Sequence, residues 1–176
     1  VADTIELAAG WNIISFDVAI EANGPINVFA DLIVSDNLVA VTGYNNGALF
    51  YDPTLPPFLN SLTIIEAGFG YWVKINDSAT LVEEGVEIPH DFEKDLASGW
   101  NLIGYWPENS QPPVDGFSDL ILNDNLVAAT GYDNGALFYD PDLPEFLNSL
   151  TSLDNGYGYW VKVNNAVDDF TYPTVQ

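Results

Sequence analysis

The chain has no cysteine, no methionine and no arginine, one histidine and three lysines in 176 residues. Without cysteine there is no disulfide to staple a small fold and no thiolate for nucleophilic or metal chemistry. A single histidine, His90, leaves no imidazole-rich zinc site, and no nucleophile-elbow motif accompanies it, so a catalytic triad has nothing to stand on. Three lysines face 26 acidic residues, for a net charge of -23. That balance lacks the basic footprint that nucleic acid and anionic membranes require. No apolar run approaches the roughly 18 to 20 residues that span a bilayer, so membrane insertion is not expected. A chain that starts at Val1 without any methionine reads as a processed mature product or an excised segment; separately, it is expected to be part of a larger multidomain protein.

What is present is a repeat. Residues 36–76 read DNLVAVTGYNNGALFYDPTLPPFLNSLTIIEAGFGYWVKIN, and residues 124–164 repeat them with ten substitutions in 41 positions. A second match, Gly10-Trp11-Asn12-Ile13-Ile14 against Gly99-Trp100-Asn101-Leu102-Ile103, lies at an offset of 89 instead of 88, so one residue was lost between the landmarks. The chain therefore divides into two tandem units of about 88 residues, 1–88 and 89–176. Standing alone, units of this size are only marginally stable without a staple, so the halves are expected to share an interface. They are related by an approximate twofold or by a translation, with strand exchange or a continuous sheet both open.

Each unit reads as mainly β with short helices, an α+β tendency. The opening stretches Ile5–Leu7 and Trp11–Phe16, and Phe92–Leu96 with Trp100–Trp106, predict a hairpin in each unit. Helical spacing predicts a short helix over 26–33 and again over 114–122. Asn46-Gly47 and Asn134-Gly135 predict tight hairpin turns with positive φ at both central positions, between 38–44 and 48–51 and between their counterparts. Pro56–Leu62 predicts a proline-initiated helical turn. The β formers of Gly68–Ile75 predict a strand, and Thr80–Glu83 another.

The phrases Gly-Trp-Asn-(Leu/Ile)-Ile and Gly-(Phe/Tyr)-Gly-Tyr-Trp-Val-Lys, with Tyr-Asp-Pro and Phe-Leu-Asn-Ser-Leu-Thr between them, resemble a repeat family of secreted and cell-surface proteins of bacteria and archaea. In that family the segments look like GWNLIS and GKGYWVK and accompany adhesins, carbohydrate-active enzymes and sorting signals. The resemblance covers both units and implies an extracellular or cell-surface location and a non-catalytic accessory role. It transfers no binding residues. Phe69 and Tyr157 stand where the family phrase has lysine.

Aromatic residues make up 14% of the chain, with five tryptophans, and exposed rings beside polar donors suit the stacking of sugars. Alternation along Tyr71-Trp72-Val73-Lys74 puts Trp72 on the face of Lys74, and Trp160 with Lys162 duplicates it. Packing of Trp72 under a loop is the competing expectation. The two lysines are expected to pair with Asp52 and Asp140 or to contact a ligand. Tyr44, Phe50, Tyr132 and Phe138 complete the candidate set, since Phe50 and Tyr51 must face opposite ways. Trp11 and Trp100 are expected in the core, and Trp106, which has no aromatic counterpart, between the halves. Calcium is a candidate for acidic clusters such as Asp36-Asn37, Glu83-Glu84 and Asp124-Asn125, although no EF-hand spacing occurs; solvated loops are the simpler reading. Together these point to a carbohydrate-binding module with one site per unit for a neutral polysaccharide or glycan. The alternative is a structural or adhesive spacer, calcium-stabilised, whose charge reflects a secreted or salt-adapted surface.

Overall fold

The computed structural model describes residues 1–175. Alternation within Gly70–Ile75 sets the layering of the first half: Tyr71, Val73 and Ile75 are buried, while Trp72 and Lys74 on the other face are only partly covered. The first half runs β1 (Ala2–Leu7), β2 (Gly10–Ser15), β3 (Val18–Ala19), α1 (Pro25–Val28), α2 (Ala30–Val34), β4 (Leu38–Tyr44), β5 (Ala48–Tyr51), β6 (Gly70–Ile75), β7 (Ala79–Glu84) and β8 (Val86–Glu87). The second runs β9 (Lys94–Leu96), β10 (Gly99–Gly104), α3 (Pro113–Gly116), α4 (Ser118–Leu122), β11 (Leu126–Tyr132), β12 (Ala136–Tyr139), β13 (Gly158–Val163) and β14 (Val167–Phe170). The protein is mainly β, with short helices. Each half contributes an antiparallel four-stranded sheet, in the orders β2-β6-β4-β5 and β10-β13-β11-β12.

The opening hairpins expected from the sequence do not form. β1 pairs β7 and β2 pairs β6, as β9 pairs β14 and β10 pairs β13. The reason lies in the link. Gly10 takes φ 95, and the Asn12 amide accepts from the Ala8 N–H and donates to the Ala8 carbonyl, so the chain turns a corner between two sheets. The predicted helix is split at Phe29, whose φ of -102 leaves α1 and α2 as separate turns that bury Val28, Phe29 and Leu32. The hairpin of β4 and β5 forms, but not through the expected turn: the connection has three residues, and of the two central positions only Asn46 is left-handed, at φ 54, while Gly47 is not. The proline-initiated turn is a short 3-10 segment at Pro57–Leu59, repeated at Glu145–Leu147.

Two of the acidic pairs named as calcium candidates close helices through their main chain. Asp36 is left-handed at φ 58 and closes α2 with a Schellman pair of bonds, Asp36 N–H to Ile33 O and Asn37 N–H to Leu32 O. Asp124 and Asn125 repeat it after α4. Among the described residues no three His, Asp or Glu side chains converge to hold a metal. Among the described residues no helix is long and apolar enough to cross a membrane.

Two clusters of buried side chains form, one in each half. Trp106 belongs to the second, packed on Phe92, Phe170 and Tyr172, so it completes one core and does not seal the join. The halves meet through backbone. Ser15 N–H donates to Gly156 O at 2.9 Å, and the equivalent Gly104 N–H donates to Gly68 O at 3.0 Å. Ile14 bridges Tyr157 as Phe69 bridges Ile103. Reciprocal contacts of this kind are the mark of a local twofold and exclude a translation.

Glycine makes the approach close enough. A Cβ on Gly158 would stand 2.6 Å from Ile13 Cγ2 and 3.1 Å from Gly70 Cα. Gly158→Ala should therefore lower the unfolding free energy by about 1–3 kcal/mol in chemical denaturation, the usual cost of overpacking. Gly47→Ala, which meets nothing within 4 Å, should change it by less than about 0.5 kcal/mol.

Candidate functional site

The face of the first sheet turned away from its core gathers the candidate residues. Trp11 lies opposite Lys74, and Trp72 lies opposite both Ile13 and Thr42; Thr42 in turn lies opposite Phe50. Directly opposed residues of antiparallel strands share a face, so Trp11, Thr42, Phe50, Trp72 and Lys74 form one surface. The Trp11 ring stands edge-on to Trp72, 5.9 Å away at 88°. Lys74 Nζ lies 5.6 Å from the Trp11 ring centroid. Tyr132 arrives from the hairpin of the other half and meets Trp72 at 5.2 Å. The twofold repeats the group: Trp100 with Trp160 at 6.3 Å, Lys162 at 5.7 Å from Trp100, and Tyr44 against Trp160 at 5.2 Å. Each aromatic group is therefore composite, two tryptophans of one half and a tyrosine of the other.

Three sequence expectations change here. Trp11 and Trp100 are 38% and 39% exposed instead of buried in the core. The adjacent apolar residues Ile13 and Ile14 hide the alternation of this strand, and Trp11 falls on the side opposite Ile14. Asp52 and Asp140 are not partners of the lysines, because their carboxylates are taken up locally. Asp52 Oδ1 accepts from the Thr54 N–H and hydroxyl, and Asp140 Oδ1 from the Asp142 N–H. Lys74 and Lys162 rest over indoles instead. Finally, Trp72 and Trp160 are covered in part by tyrosines of the other half, not by a loop of their own. Phe50 and Phe138 lie on edge strands, 39% and 40% exposed, and extend the aromatic surface outward.

Beside Trp11 the two halves enclose a cleft of about 300 Å³. Glu6, Trp11 and Asn12 line it from the first half, and Tyr132, Asn134 and Tyr157 from the second. Its twofold equivalent beside Trp100 shrinks to about 20 Å³, where Lys94 enters the lining. Lys94 stands where the first half has Ile5, and its Nζ lies 3.1 Å from the Phe69 ring centroid. The aromatic groups are matched, but the clefts are not. Sequence reading missed Trp11, Glu6, Asn134 and Tyr157 because the cleft is assembled across the twofold. The repeat itself was the available signal, in the exchange of Ile5 for Lys94 and of Phe69 for Tyr157.

The open cleft is electronegative and backed by buried acid. Burial first, then the Asp133 and Asp154 charges, raises the Tyr157 hydroxyl above its ordinary range. Behind it Asn155 Nδ2 donates to Asp17 Oδ2 at 3.1 Å, and the Asp17 N–H donates to Asp3 Oδ2 at 3.2 Å. Burial, and then the Asp17 charge, pushes the Asp3 carboxyl from 3.8 up to about 6. Burial likewise brings Glu83 to about 7, with Asp31 and Asp3 adding to it. Between the unfolded and folded values the native protein binds more protons, so stability falls as pH rises through that window. Thermal unfolding should thus move to higher temperature, by a few degrees, when pH is lowered from 8 to 5. Asp3→Asn, which keeps an acceptor for the Asp17 N–H, should flatten part of that dependence.

Searches of family models, curated proteins and solved structures found no match to this chain.

Proposed function

We propose that the protein is a non-catalytic, extracellular carbohydrate-binding module of a larger surface or secreted protein. The observation that carries this reading is the pair of composite aromatic groups. In each, a half-exposed tryptophan stands perpendicular to a second one, with a tyrosine, a lysine and amide or carboxylate side chains at the rim. Ring faces of this kind stack on the apolar C–H face of a sugar, and the Asn, Asp, Glu and Lys groups can bond its hydroxyls. An acidic surface without arginine favours an uncharged glycan backbone over a sulfated or uronic one. Two groups on one chain add avidity for a polymer that reaches both.

The spacer reading rests on one observation of its own: part of the Trp72 and Trp160 surface is spent on joining the halves. An insoluble-polysaccharide pull-down and glycan array on the intact chain separate the two readings. Retention on a neutral polymer is expected, insensitive to salt and to chelator. Each of the double variants Trp11→Ala/Trp72→Ala and Trp100→Ala/Trp160→Ala should weaken it at least tenfold, about 1.4 kcal/mol. Loss of binding only on chelation would instead indicate calcium-bridged adhesion. Blank arrays, with tryptophan variants that merely melt earlier, would establish the spacer.

A further inference from the structure

The clefts beside Trp11 and Trp100 are the same place in the fold, one open and one closed. Part of the wall is shared: Tyr132 matches Tyr44, Asn134 matches Asn46, and Asn12 matches Asn101. The occupant differs, and with it the ring and the carboxylates around it. In the closed cleft Lys94 lays its ammonium 3.1 Å from the Phe69 ring centroid, a cation–π contact. Burial lowers this ammonium to about 8, and the nearby Glu66 and Asp95 carboxylates act to keep it charged.

The open cleft keeps the receptor and lacks the lysine. Ile5, the counterpart of Lys94, is buried in the first core at 6% exposure; it forms part of the cleft wall but brings no charge. Tyr157 supplies the ring in place of Phe69, at 41% exposure. Glu6 replaces Asp95, Asp154 replaces Glu66, and Asp133 adds a carboxylate where the closed cleft has Asn45. Lys74 does not stand in for Lys94, because its own equivalent, Lys162, lies over Trp100 beside the closed cleft as well. The protein thus holds, in its second half, an ammonium seated in the arrangement that its first half leaves open.

We propose that the open cleft binds an exogenous primary ammonium at the position Lys94 fills in its twin, the amino group of a de-N-acetylated amino sugar in an otherwise uncharged glycan. The sugar part rests on the carbohydrate-binding reading; the ammonium part rests on the two clefts alone. Binding is one per chain, since the second cleft is filled.

Isothermal titration of the intact chain at pH 6 with glucosamine tetramer, N-acetylglucosamine tetramer and cadaverine tests both parts. Glucosamine tetramer should bind with a stoichiometry of one and at least tenfold more tightly than either of the others. Ile5→Lys, which installs the twin's own ammonium, should abolish that binding. Val34→Lys, the same charge on an exposed position of α2 outside the cleft lining, should leave it unchanged and so removes general attraction to an acidic protein as the cause. Should Ile5→Lys fail to fold, the exposed substitution Asp133→Asn carries the test and should weaken binding at least threefold. Equal binding of the two tetramers, or full binding by folded Ile5→Lys or Asp133→Asn, overturns the ammonium site while leaving the glycan reading intact. Cadaverine binding as tightly as the tetramer overturns the amino-sugar assignment. No binding of glucosamine tetramer overturns the inference, and neutral polymers retained in the pull-down would then show that the broader reading survives it.

Discussion

Close backbone approach at the twofold governs everything the surface presents. Ser15 and Gly104 reach across to Gly156 and Gly68, and Gly70 and Gly158 nearly touch. Side chains in place of Gly70, Gly104 or Gly158 would hold the sheets apart by the width of at least a methyl group, and packed interiors do not absorb that without strain. Because the sheets meet this closely, the tip of each β-hairpin extends past its own sheet and over the tryptophans of the other. Tyr132 on Trp72 and Tyr44 on Trp160 are products of that approach.

The same contact distributes the two faces of each sheet between separate tasks. One face carries Tyr71, Val73 and Ile75 into a hydrophobic cluster with the helices, and supplies the stability that burial of apolar area provides. The other begins at the twofold with Ile13 and Gly70 and ends in solvent with Trp11, Thr42 and Phe50. Aromatic rings at such a rim are partly spent on the join and partly free. That division is why the glycan and spacer readings draw on the same residues.

Duplication also supplies an internal comparison. Where the halves agree, as in the Schellman closures at Asp36 and Asp124 or the Asn60 and Asn148 side chains bonded to the Asp52 and Asp140 backbone, the residue serves the fold. Where they differ within an otherwise shared frame, the difference is local and chemical. Ile5 against Lys94 is the clearest case, since one strand position feeds a core in one half and plugs a cleft in the other.

The sequence by itself determined the two units, most of their strands and the sidedness of the strand Gly70–Ile75. Offsets of 88 and 89, the period-two pattern of Tyr71–Ile75 and the turn residues at Asn46 are properties of neighbours along the chain, and local sterics read them directly. Strand pairing was not local in that sense. The expected opening hairpins failed because β1 and β2 find partners some 60 to 80 residues away, a choice made by which apolar faces can be covered together. The site was further still from the sequence. Only the tertiary structure decided that Trp11 is exposed, that Tyr132 joins Trp72, and that one cleft stands open while Lys94 closes the other, because each depends on how two separate sheets dock about their twofold.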